Sequence, residues 1–194
     1  MSDRKEELVR ALRRGGLLHL DEAVQLASGD WSRHFVDAKR ALARGAHLRL
    51  AGEALLGLAA DAGAAFDAVG GMTMGADPFA HAVAMLGDVE WFSVRKQAKE
   101  RGTKKRIEGA TLAPGQRVLL VDDVVTRGGS ILDAFEAVRA TGATVVGAVA
   151  LLDRGGFDPE PFAREGVPYR ALLTHADLGI PAVGSETGSP AAAG

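Results

Sequence analysis

The run Arg117-Val118-Leu119-Leu120-Val121-Asp122-Asp123-Val124-Val125-Thr126-Arg127-Gly128-Gly129-Ser130 constrains this chain more than any other. Its aliphatic first half predicts a strand buried on both faces, the pattern of a parallel sheet. Two adjacent carboxylates follow, then a hydroxyl and two glycines. Ile131, Leu132, Phe135 and Val138 next recur at helical spacing. The order is strand, acidic pair, Gly-rich turn, helix.

That order suits a particular ligand. Glycines let backbone N–H groups approach an anion closely, and a helix starting near Ser130 points its positive end at the same place. Thr126 and Ser130 add hydroxyls. Two carboxylates beside a phosphate would repel it unless ribose hydroxyls or a hydrated magnesium ion lay between. The run therefore reads as a sugar-phosphate cradle. It contains neither Gly-Lys-Ser/Thr nor G-x-G-x-x-G, so it is no P-loop and no dinucleotide fingerprint.

The remaining chain sets this run in an α/β fold. Helices are predicted over Arg4–Arg14, His47–Ala62 and Asp77–Leu86, the last with Asp77 as cap and Pro78 in the first turn. Strands are predicted at Ala23–Leu26, His34–Val36, Phe66–Val69, Glu90–Val94, Gly109–Ala113, Thr144–Leu152 and Pro168–Leu173, with Gly70–Gly75 as a turn. Alternating strands and helices give a mainly parallel sheet flanked by helices, with ligands outside the carboxyl ends of its strands. Residues 1–40 read as a helix and a small satellite segment, 41–183 as the core, and 184–194 as a disordered tail. With 194 residues, a net charge of −2, no cysteine and no long apolar run, a disulfide scaffold, a membrane span and a nucleic-acid surface are not expected; a cytoplasmic enzyme is.

Other constellations cluster at the same strand ends. Arg95 to Arg106 is strongly basic and nearly devoid of apolar side chains. It reads as a solvated loop, a nucleic-acid patch, or a loop that brings positive charge to a polyphosphate. Gly70 to Pro78 reads as a plain connection or a second backbone cradle. Arg154, after the aliphatic run Thr144–Leu152, is placed to fork onto a carboxylate or to pair with Asp153 or Asp158. His19, His34, His47, His81 and His175 show no metal-ligand spacing.

Asp122 to Ser130 closely resembles the phosphoribosyl pyrophosphate loop of the type I phosphoribosyltransferase family. Within it, Arg95-Lys96-x-x-Lys99-x-x-Gly102 with Glu108-Gly109, Leu152-Asp153-Arg154, and Ser28-Gly29 with Ser32 and Phe35-Val36-Asp37 resemble orotate phosphoribosyltransferases. The resemblance implies a type I phosphoribosyltransferase-like parallel sheet with a small N-terminal hood. It implies transfer of the phosphoribosyl group to orotate, with magnesium as cofactor, held mainly by diphosphate, ribose and water. Asp122, Asp123, Lys99 and Arg101 would be catalytic. Phosphoribosyl pyrophosphate would meet Arg95, Lys96, Lys99, Arg101, Thr73, Met74, Asp122, Asp123, Val124, Val125, Thr126, Arg127, Gly128, Gly129 and Ser130. Orotate would meet Thr126, Arg154 and Phe35. A homodimer with shared sites is implied, since the family's basic loop reaches its partner. The chain departs from the pattern at Ala27, where Lys occurs, at Thr73 and Met74, where an aromatic residue and Lys occur, and at Arg101, where His is usual. Another base, or a non-catalytic phosphoribosyl pyrophosphate-binding regulator, remains open.

Overall fold

A computed structural model describes residues 2–97 and 106–185. Helix α1 (Ser2–Gly15) leads into a two-stranded antiparallel hairpin, β1 (Leu17–Gln25) and β2 (Trp31–Val36). Two helices follow, α2 (Ala38–Ala41) and α3 (Gly45–Asp61). The core then alternates through β3 (Ala68–Met72), α4 (Asp77–Gly87), β4 (Glu90–Val94), β5 (Ile107–Gly109), β6 (Arg117–Val125), α5 (Gly129–Arg139), β7 (Thr144–Asp153), α6 (Glu160–Arg164) and β8 (Tyr169–Thr174).

The core sheet has six strands in the order β5-β4-β3-β6-β7-β8, all parallel except β5. Its middle strand β6 alternates between two cores. Leu119 and Val121 face α1, α3 and α4 with Leu12, Leu55, Phe79 and Val83. Val118 and Leu120 face α5 and α6 with Ile131, Phe135, Val138 and Phe162. Both faces are thus covered, which is why the strand reads as a continuous aliphatic run. Each of these buried side chains contributes about 1.5–3 kcal/mol. The chain order reverses between β3 and β6, and in open sheets of this kind ligands bind outside the carboxyl ends of the strands at such a reversal.

Several local expectations shift. Gly70, Gly71 and Met72 belong to β3 rather than to a turn, and all five β3 residues are buried. A Cβ at Gly71 would run into the Val121 carbonyl, so the missing side chains let β3 lie close to β6. β1 runs nine residues from Leu17, longer than the strand expected at Ala23–Leu26, with no position fully buried. Pairing to β2, not an apolar face, defines it. The strand expected at Gly109–Ala113 lies earlier, and α2 and α6 were not expected. Asp77 is the first helical residue rather than the cap; its carboxylate accepts from Thr73 Oγ1 at 2.6 Å and Ser93 Oγ at 2.7 Å.

Candidate active site

At the carboxyl ends of β6 and β7 lies a cleft of about 420 Å³, roofed by the β1–β2 hairpin. Its floor carries Asp122 through Ser130, its far end Arg154, and its roof Leu26, Ala27, Ser28 and Phe35. Cavities of about 590 Å³ beside β5 and α5, and about 670 Å³ beside α3 and α4, are larger. They hold neither the acid pair nor the glycine loop, so the chemistry centres on the smaller cleft.

The acid pair is asymmetric. Asp122 is only 4% exposed and accepts the Asp123 N–H at 3.0 Å. Burial, and then the Asp123 charge, push its carboxyl well above the ordinary carboxylate range. Asp123 is more open. Its Oδ1 accepts the Val124 N–H at 2.8 Å, and its Oδ2 takes a 3.1 Å hydrogen bond from Lys39 Nζ. A Cβ at Gly75 would meet Asp123 Oδ1 at 2.6 Å, so the turn after β3 borders the outer acid only because that residue is glycine.

Past Val125 the chain turns sharply at Gly128, whose φ of 77° is the left-handed conformation that glycine tolerates. Any side chain there would also strike the Phe157 ring. Gly128 caps α5 without a side-chain hydrogen bond, leaving the first-turn N–H groups free of a side-chain cap on the side of the cleft. Carboxylate, nest of amides and hydroxyls thus follow one another along one wall.

Arg154 joins the wall to the roof. It is 2% exposed, and Nη1 donates to the His34 carbonyl at 3.1 Å while Nη2 lies 3.4 Å from Ser32 Oγ. Its neighbour Asp153 accepts from Tyr169 Oη at 2.9 Å and from the Gly155 N–H at 2.6 Å, which fixes the end of β7. Phe35 is 42% exposed and faces the cleft.

The expected site residues divide. Asp122 to Ser130, Arg154 and Phe35 meet in one cleft. The Arg127 guanidinium, however, is engaged with Asp30 of the hairpin. Thr73 and Met74 do not line the cleft; Thr73 serves Asp77, and Met74 is 73% exposed. Arg95 also stands off the cleft, its guanidinium 3.8 Å from Glu108, and Lys96 is exposed. Lys99 and Arg101 lie outside the described residues. Lys39 was missed by sequence reasoning. Its only signal was a lysine two residues beyond Asp37, on a four-residue helix too short to show periodicity. Among the described residues no group of three or more His, Cys, Asp or Glu is arranged to hold a metal, and no helix is long and apolar enough to cross a membrane.

Residues 38–161 match the family model described as phosphoribosyl transferase domain. The chain is 39% identical over 181 residues to an orotate phosphoribosyltransferase of Corynebacterium glutamicum, covering 92% of this chain and 96% of that protein. It is 42% identical over 186 residues to one from Streptomyces avermitilis, covering 93% and 100%. The crystal structure of Mycobacterium tuberculosis orotate phosphoribosyltransferase in complex with phosphoribosyl pyrophosphate superposes with a TM-score of 0.74 at 36% identity, covering 91% of this chain and 99% of that one.

Proposed function

The chain belongs to the orotate phosphoribosyltransferase family, and on that premise we propose how its residues transfer the phosphoribosyl group from phosphoribosyl pyrophosphate to orotate. The products are orotidine 5′-phosphate and diphosphate. One observation carries the assignment of roles: the acid pair, the Gly128 turn and Arg154 share a single cleft under the hairpin.

The 5′-phosphate sits on the amides of Gly128 to Ser130 at the start of α5, where N–H groups and helix dipole favour an anion. Asp122 and Asp123 take the ribose hydroxyls, and the outer carboxylate of Asp123 favours the positive charge that grows on the ribosyl ring as the anomeric bond breaks. Thr126 and Arg154 face the base, with Phe35 against its ring. Orotate is already an anion, so no strong general base is needed.

Magnesium fits this donor set. The cleft offers carboxylates at one end, and such an ion takes one or two carboxylates and completes its shell with waters and substrate oxygens. Bound there, it would neutralise diphosphate charge. Asp123 is the residue best placed to hold it or its waters.

Lys99 and Arg101, with Arg95 and Lys96, supply charge to the departing diphosphate. Arg95 and Lys96 stand off their own cleft, which supports a homodimer in which this segment serves the partner. Exposed Met74, Met85 and Trp91 supply apolar surface for such a contact. A cytoplasmic setting suits substrates too highly charged to cross a membrane unaided. Offering orotate, uracil and adenine in parallel, with magnesium and phosphoribosyl pyrophosphate, tests the base assignment; consumption of uracil or adenine in preference to orotate overturns it.

A further inference from the structure

Arg127 follows Thr126 and precedes the Gly128 turn, yet its side chain reaches the opposite wall. Nε donates to Asp30 Oδ2 at 2.9 Å and Nη2 to Oδ1 at 2.6 Å, a two-pronged fork on one carboxylate. Asp30 is held ready for it. Its Oδ2 also accepts from Ser28 Oγ at 2.8 Å, and its own carbonyl accepts the Leu26 N–H at 2.8 Å, closing the tip of the hairpin. A Cβ at Gly184 would meet Arg127 Nη2 at 2.5 Å, and one at Gly156 would meet Arg127 Cδ at 3.4 Å. The absence of a side chain at Gly184 thus leaves room for this half-exposed guanidinium.

The hairpin is gripped at two points. Arg154 holds the body of β2 through Ser32 and His34 and is buried. Arg127 holds its tip, and there the two side chains are 48% and 16% exposed. A half-exposed ion pair is weaker and more readily opened than a buried one. The tip carries Leu26, Ala27 and Ser28, which face Thr126 to Gly128 across the cleft.

We propose that Arg127 is a positioning residue: its fork on Asp30 latches the hairpin tip across from the phosphate loop and so sets the affinity of the base half of the cleft. Arg127 does not bind the phosphate itself. Because Arg127 lies between Thr126 and Gly128 in the chain, the fork ties the hairpin tip to the loop that lines the opposite side of the cleft. The latch rests on the orotate reading.

Steady-state kinetics on the full chain test it, varying orotate and phosphoribosyl pyrophosphate in turn for wild type, Asp30→Ala, Arg127→Ala, the double variant, and the swap Asp30→Arg with Arg127→Asp. Each single variant is expected to raise KM for orotate by about tenfold, the size expected from losing a charge-assisted fork at a partly exposed site, with KM for phosphoribosyl pyrophosphate moving less than about threefold. The double variant should be no worse than either single one, and the swap should recover much of the loss. Arg127→Ala raising KM for phosphoribosyl pyrophosphate while Asp30→Ala does not would make Arg127 a phosphate ligand and overturn the latch. Multiplying effects in the double variant, no recovery in the swap, or both KM values rising together with a lowered Tm would overturn it too. Wild type that leaves orotate untouched would instead overturn the orotate reading, and the latch with it.

Discussion

Lys39 Nζ stands 3.1 Å from Asp123 Oδ2, so the outer acid of the pair meets a cation supplied by the short helix behind the hairpin. That helix is fixed by Asp37, whose Oδ1 caps it by accepting the Arg40 N–H at 3.1 Å. Lys39 therefore orients the carboxylate assigned to the ribose hydroxyls.

Lys39→Met should separate catalysis from stability. The pair is partly exposed, with Lys39 at 43%, so unfolding free energy should change by less than about 1 kcal/mol. Turnover should fall by about tenfold or more, because Asp123 is no longer held in place at the sugar, and Lys39→Arg should retain more of it. Thermal melts and initial rates on the same samples decide; unchanged turnover in Lys39→Met would remove Lys39 from the site.

Asp122 predicts a pH dependence. Its carboxyl is held well above the ordinary range by burial and by Asp123. The native state therefore keeps a proton that the unfolded chain releases. The stability this group contributes is full below the unfolded value of about 3.9 and is lost as pH rises through the raised native value. Asp122→Asn carries no such charge. It should flatten the fall of Tm with rising pH and be more stable than wild type at alkaline pH. Parallel Tm curves for the two proteins would contradict this.

The glycine loop offers a paired comparison. Gly128→Ala forces a side chain into a left-handed conformation and against Phe157. It should cost about 1–3 kcal/mol. A Cβ at Gly129 meets nothing within 4 Å, so Gly129→Ala in the first turn of α5 should cost less than about 1 kcal/mol, or add slightly to stability, given the helix preference of alanine. Urea denaturation of both variants checks the contrast, and equal losses would argue against the turn geometry.

Arg154 has two tasks, and its removal should show both. Arg154→Ala leaves the His34 carbonyl and Ser32 Oγ without this partner in a buried setting, which should cost about 1–3 kcal/mol. It should also raise KM for orotate more than KM for phosphoribosyl pyrophosphate. Equal effects on both substrates would leave it only the task of holding the hairpin.

Much of this was legible in the residues because it is local. The sheet core shows as aliphatic runs at β6 and β7, and the Asp122 to Ser130 cradle is contiguous in the chain. What the residues concealed is long-range or unpatterned. β1 presents no fully buried position to betray a strand. Gly70 and Gly71 read as a turn because a glycine in a strand is recognisable only beside the neighbour it admits. Arg127 sits within the glycine-rich run, but its partner lies 97 positions away, and no spacing rule gives a side chain's direction. Lys39 meets Asp123 across 84 positions for the same reason.

Transfer to orotate is tested most directly by mixing purified protein with orotate, magnesium and phosphoribosyl pyrophosphate and following orotidine 5′-phosphate and diphosphate together. Both should appear in equal amounts as orotate disappears, and removing magnesium should stop both. Diphosphate release without orotidine 5′-phosphate, or phosphoribosyl pyrophosphate bound but unconsumed with orotate present, would contradict that assignment.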